Sequence, residues 1–156
     1  MLDRLADDTA RSPLPPWLAT RITVTRATVH LLRGEVDTAA TILDRADERG
    51  PVWSVTRAAV AVAAGDRASA VDLLTATLNE RITEHFTATV DGWLLMARVR
   101  LEEGKAVAAR AALTRALELA HVEGHRRPFV DAGPWLRPVL HAHPDILAGH
   151  EWLGPP

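Results

Sequence analysis

The chain has 156 residues, of which 47% are hydrophobic and 24% are charged, and its formal net charge is −2 at pH 7. This length and balance predict one soluble globular domain and exclude an intrinsically disordered chain. The near-neutral charge gives no overall attraction to nucleic acid or to an anionic membrane. The absence of cysteine excludes disulfide scaffolds, thiol catalysis and Cys-type zinc sites.

The first 19 residues are predicted to form an incoming linker. Residues 1–10, MLDRLADDTA, are acidic and lack the apolar core of a secretion signal, and residues 11–17, RSPLPPW, are rich in proline. No apolar run in the chain reaches the ~18 residues that a membrane-spanning helix needs. We therefore expect a cytoplasmic protein without a membrane partner.

A repeated pattern follows over residues 20–122. Three glycines each have alanine five residues later, leucine nine residues later and alanine seven residues earlier. Offsets of five and nine differ by one helical turn, so these side chains share one helical face. The three sets are Gly34, Ala39, Leu43 and Ala27; Gly65, Ala70, Leu74 and Ala58; and Gly104, Ala109, Leu113 and Ala97.

Each copy predicts a helix, a tight glycine turn and a second helix. Glycine can end a helix in the left-handed conformation because it has no Cβ, and the shared alanines let paired helices approach closely. The sequence therefore predicts an all-α fold. The expected helix pairs are 20–33 with 36–49, 52–64 with 67–79, and 86–103 with 106–122.

Residues 123–156 depart from the repeat and are predicted to form a capping tail. Four prolines interrupt this segment and forbid a long helix. Short helices are expected over 134–142, with Pro134 in its first turn, and over 144–149. An apolar face on the first of these would cover the last repeat, as stacked repeats require. Its residues are Trp135, Leu136, Val139 and Leu140.

The spacing around the glycines resembles the tetratricopeptide repeat. Trp93 lies eleven residues before Gly104, where that family often has tryptophan, and Pro51 lies seventeen residues after Gly34, where it has a helix-ending proline. The copies are spaced 31 and 39 residues apart, instead of a uniform ~34. The resemblance implies three degenerate, tetratricopeptide-like repeats of antiparallel helix pairs with a short-helix C-terminal cap.

Residues 112–140, ALTRALELAHVEGHRRPFVDAGPWLRPVL, resemble the end of the helical-repeat region in LuxR-family transcriptional regulators of the large ATP-binding, maltose-activator-like type. Residues 15–27, PPWLATRITVTRA, are similar to the start of that region. The resemblance implies a bacterial regulatory domain that senses a signal, binds a small-molecule effector or a protein partner, and self-associates. The alternative is a stand-alone tetratricopeptide adaptor unrelated to transcription.

The family's groove-facing positions imply the candidate binding residues. They lie on the first helix of each pair, which lines the concave side of such a stack. The middle copy supplies small apolar side chains there, and the outer copies supply charged ones. The candidates are Arg21, Thr28, Asp91, Leu94, Arg98 and Glu102. The alternative is that the tail folds over the groove and fills it.

Other chemistries have weaker support in the sequence. His121 and His125 are four residues apart, as metal ligands on a helix would be, but no further metal-site pattern accompanies them. None of the three serines lies in a nucleophile-elbow setting, and no GxxxxGK[ST] phosphate loop occurs. We therefore expect no enzyme activity, no metal and no cofactor.

Two further residue types have a structural interpretation. Arg126, Arg127 and Arg137 could form a basic edge for nucleic acid, but the favoured interpretation is that Arg127 pairs with Asp131 or with a carbonyl at the C-terminal end of a helix. We therefore expect no direct nucleic-acid contact. The tryptophans are expected to be core or capping anchors. They are Trp17, Trp53, Trp93, Trp135 and Trp152.

Overall fold

The computed structural model describes residues 15–46, 49–79 and 86–153, and within these ranges the chain is helical and contains no strand. A short 3₁₀ turn, Glu151–Leu153, follows the last helix. The helices are α1 (Pro16–Leu32), α2 (Val36–Asp44), α3 (Pro51–Ala63), α4 (Arg67–Asn79), α5 (Phe86–Glu102), α6 (Ala106–Glu123), α7 (Arg127–Asp131), α8 (Leu136–Ala142) and α9 (Pro144–Leu147).

The predicted glycine turns are confirmed. Gly34, Gly65 and Gly104 have φ values of 77°, 84° and 75° and follow α1, α3 and α5. In each turn the glycine N–H donates a hydrogen bond to the carbonyl three residues earlier, and the N–H of the next residue donates to the carbonyl five residues before it. In the first turn, for example, the Glu35 N–H donates to the His30 carbonyl at 2.9 Å. These two bonds close the helix end and reverse the chain.

The alanines and leucines at matching repeat positions lie in the core, as predicted. Ala39, Ala70 and Ala109 are buried on α2, α4 and α6, and the leucines one turn later are almost completely enclosed. The small alanine side chains allow close helix approach, and the leucines fill the adjacent space. The local pattern thus determines the buried face of each second helix.

Each helix of a pair packs on its partner, as α1 does on α2, α3 on α4, and α5 on α6. Successive first helices also contact each other, α1 with α3 and α3 with α5, and each second helix contacts the next first helix. Between the first two pairs, Trp53 Nε1–H donates a hydrogen bond of 2.9 Å to the Leu43 carbonyl. Every pair is therefore held to the next by two helix contacts.

Two hydrophobic clusters make up the core of the described chain. The smaller cluster joins α1, α2 and α3 around Leu43 and Trp53. The larger cluster joins α3 to α6 and the tail, and it includes Leu74, Leu113 and Leu117. Helix α3 supplies residues to both clusters, so it is the element that connects the first pair to the rest.

Three boundaries differ from the prediction. Helix α1 begins at Pro16, inside the expected linker 1–19, because proline suits the first turn of a helix; residues 1–14 of that linker lie outside the described residues. Helix α2 ends at Asp44, before the predicted 49. Pro51 begins α3 and does not end α2, and Gly50 ahead of it is extended, as a residue before proline prefers.

The tail packs on the larger cluster through the predicted apolar face. Leu136 and Leu140 on α8 are buried there, while Trp135 and Val139 are half-buried against it. The helices α8 and α9 are shorter than the predicted 134–142 and 144–149.

The prediction missed α7, which has Pro128 in its first turn and contacts α5. Its Arg127 Nε lies 3.2 Å from Asp131 Oδ2, which confirms the expected pairing.

Candidate binding groove

Helices α1, α3 and α5 together line a groove with a volume of about 560 Å³. Its apolar lining includes Val24 of α1, Val52 and Val55 of α3, and Ala88 of α5. Pockets for small ligands commonly occupy about 300–1,000 Å³ and combine an apolar lining with a few polar groups. None of the described tail residues from 123 onward lines this groove, so that part of the tail does not fill it.

Arg21 is the cationic group of the groove. It is exposed and makes no ion pair with any described residue. The nearby hydroxyl of Thr25 donates its proton to the Arg21 carbonyl at 2.8 Å, and that of Thr56 donates to the Val52 carbonyl at 2.9 Å. Because these hydroxyl protons are already engaged within α1 and α3, the guanidinium of Arg21 is the charged donor on this side that can bind an anion.

Asp91 on α5 is the anionic group on the other side. Its side chain reaches solvent, yet the surrounding helices displace enough water that burial raises its pKa to about 6. The positive charge of His125 opposes this rise, and the negative charge of Asp131 reinforces it. The carboxyl group is therefore mainly ionised at neutral pH and available to a cation or a hydrogen-bond donor.

The structure brings together only two of the six predicted site residues, Arg21 and Asp91. Thr28 is exposed on α1 outside the groove, and its hydroxyl donates to the Val24 carbonyl at 2.9 Å. Leu94 is 4% exposed and belongs to the larger core cluster, so it offers almost no surface to a ligand.

The remaining two candidates, Arg98 and Glu102, form an ion network outside the groove. Arg98 Nε donates to Glu102 Oε1 at 3.0 Å, and Arg67 Nε of α4 donates to Glu102 Oε2 at 3.3 Å. This network ties the end of α5 to the start of α4. Because each charge already has a partner, these residues are less suited to ligand recognition than Arg21 and Asp91.

The prediction missed Trp17 as a groove residue. Its side chain is 64% exposed and lines the groove, in contrast to the expected core role. Trp53 is buried as expected, and Trp93, Trp135 and Trp152 are half-buried against the larger cluster. The available signal was the spacing of Trp17 and Arg21, four residues apart, which places them on one face once α1 is extended to Pro16.

The two histidines four residues apart in the sequence, His121 and His125, do not form a metal site. His121 and His125 do not share a helical face, because Gly124 ends α6 with a φ of 60°. The His121 ring instead meets the ring of His150 edge-on at 5.6 Å. Within the described ranges there is no group of three or more metal-ligating side chains, and no helix has the length and apolar character to cross a bilayer.

Comparison with protein-family models, with curated proteins and with solved structures finds no match to this chain.

Proposed function

We propose that this chain is a recognition domain of tetratricopeptide type that binds an effector or a partner segment in the groove between α1, α3 and α5. The architecture is supported by three glycine turns of the same geometry, by the buried alanines of each second helix, and by contacts between successive first helices. Such stacked pairs form extended concave binding surfaces.

The observation that carries the proposal is the arrangement of charge in the groove. Arg21 on one side has no ion-pair partner among the described residues. Asp91 on the other side makes no direct ion pair with a described residue, although the charges of His125 and Asp131 act on it, and valines lie between the two groups. A ligand that fits this arrangement has an anionic group at one end, a donor or cation at the other, and an apolar body. Short peptides and other dipolar molecules have this chemistry.

The transcriptional setting is also a proposal, and it is supported by the sequence resemblance of residues 112–140 alone. In this setting, the domain binds an effector or partner and changes its self-association, and the change is passed to a DNA-binding module. Such signalling requires two states of the domain with different ligand affinity. The reading frame around the chain discriminates this setting from a stand-alone adaptor: an ATP-binding module before it and a helix-turn-helix after it would support the regulator.

Ligand binding to the groove is tested by a thermal-shift screen of tripeptides, nucleotides and sugars, because specific binding raises the melting temperature. For a compound that binds, Arg21→Gln and Asp91→Asn should each weaken affinity by roughly 10- to 100-fold, as expected for a lost charged hydrogen bond.

The matched control for this test is Arg137→Gln, which removes another exposed arginine without an ion pair, on α8 outside the groove. This variant should bind the compound normally. Normal affinity in both groove variants would show that the compound binds elsewhere and would refute the groove assignment.

A further inference from the structure

Helix α1 presents an apolar stripe on the face that points away from the core. Four aliphatic residues and Thr25, which also lines the groove, are separated alternately by four and three residues, so they lie along one side of the helix. The aliphatic residues are Leu18, Ile22, Val29 and Leu32, and Leu18 is half-buried. Ile22 and Val29 are each 41% exposed and Leu32 is 83% exposed. The opposite face holds the buried Val24 and Ala27. The stripe is therefore a second apolar surface of α1 that no described element covers.

The charges beside this stripe are all positive. Each residue of a helix is rotated by about 100° from the one before it, which places Arg26 and Arg33 along one edge of the stripe and Arg21 along the other. Helix α1 contains no acidic residue. None of these three arginines is ion-paired with a described residue. Elsewhere in the described chain, seven arginines have a carboxylate partner. Arg45, Arg49, Arg126 and Arg137 also lack a carboxylate partner among the described residues, so what distinguishes this surface is that three such arginines lie beside one stripe.

We propose that the outer face of α1 docks an acidic amphipathic helix of a partner protein. The partner's apolar residues, at heptad spacing, lie along Ile22, Val29 and Leu32, and its Asp or Glu side chains pair with Arg26 and Arg33. Helices with this pattern pack through the apolar seam and select partners by flanking charge.

A second copy of this chain is a poorer occupant of the same surface. Antiparallel pairing of two α1 helices about position 25 would place Arg26 of one copy within one turn of Arg26 of the other. Such a dimer would bring together two stripes that are both flanked by arginine, and like charges at these positions disfavour pairing. An acidic helix removes this repulsion and supplies the missing ion pairs.

The test measures binding of a capped peptide of about 18 residues, with leucine at heptad positions a and d, glutamate at e and g, and alanine elsewhere. The fluorescently labelled peptide is titrated with the full chain at low salt and followed by anisotropy. We expect saturable binding that weakens as salt increases. A peptide with lysine in place of each glutamate should bind at least about tenfold more weakly.

Two double variants locate the surface. The double variant Ile22→Ser, Val29→Ser should weaken the affinity for the glutamate peptide by about tenfold or more. Arg26→Gln with Arg33→Gln should weaken it several-fold and reduce its salt dependence. Because all four side chains are exposed, the variants should keep the circular dichroism spectrum of the parent. The matched control is Val107→Ser with Arg137→Gln, on α6 and α8, which should leave binding unchanged.

Three results would overturn the proposal. Equal binding of the lysine peptide would remove the charge argument, and normal binding by both double variants would place the peptide elsewhere. A dimer of the free chain in light scattering that becomes monomeric in the Ile22→Ser, Val29→Ser variant would show that a second copy covers the stripe. The test is independent of the groove proposal, since neither double variant changes a groove residue.

Discussion

The replacement Leu74→Ala tests the repeat register most directly. Leu74 is fully buried on α4 in the larger core cluster. The change removes three buried carbon atoms, which at about 0.8 kcal/mol each contribute about 2.4 kcal/mol to the free energy of unfolding. A Cβ built on Gly92 of α5 would lie 3.7 Å from Leu74 Cδ2. Because Gly92 has no side chain that can move into the space, we expect most of the cavity to remain and the total loss to reach about 3–5 kcal/mol.

Urea denaturation and thermal melting both measure this loss. For a chain of this size, the loss should lower the melting temperature by roughly 6–20 °C. The control is Leu32→Ala on α1, where an 83% exposed leucine should change stability by less than about 0.5 kcal/mol. If Leu74→Ala and Leu32→Ala melt at the same temperature, Leu74 does not have the core position that the repeat assigns to it.

Two further predictions concern the backbone and pH. Gly104→Ala should lose about 1–2 kcal/mol, because its φ of 75° is unfavourable for alanine, whereas Gly50→Ala, with a φ of −83° and open space around it, should change stability by less than about 0.5 kcal/mol. Equal urea midpoints would contradict this. Burial raises the pKa of Asp91 from 3.8 to about 6, so its contribution to stability is complete below pH 3.8 and is lost as pH rises through 6. The melting temperature of Asp91→Asn should therefore rise relative to that of the parent as the pH is raised from about 4 to about 7.5. A difference in melting temperature that does not change with pH would argue against this prediction.

The turns and the buried face of each second helix could be predicted because their causes are local. Glycine at Gly34 and Gly65 adopts the left-handed conformation that the helix end requires. Alanine and leucine one turn apart, as at Ala70 and Leu74, identify the buried face of a helix without any knowledge of which element packs on that face. The tail prediction succeeded where the apolar face was local and failed at α7, a five-residue helix too short to show a periodic pattern.

The groove was harder to predict because it depends on how the helices surround one another. Helix α5 contacts α3, α4, α6 and α7, so buried residues lie on most of its sides and Leu94, expected in the groove, lies in the core. The copies are also spaced unevenly, at 31 and 39 residues, so a uniform set of groove positions does not transfer from one copy to the next. Arg21 and Asp91 both line the groove, and both lie near the beginning of their helices.

The proposed groove lies between helices that belong to different core clusters. Arg21 is on α1, whose buried side chains belong to the smaller cluster, and Asp91 is on α5, whose buried side chains belong to the larger cluster. Stacked repeats are stabilised pair by pair through their interfaces, so the first pair can loosen from the rest at a lower cost than global unfolding. A ligand that bridges Arg21 and Asp91 would lower the free energy of the state in which the first pair is docked on the rest. Binding in the groove would thereby also fix the orientation of the outer face of α1.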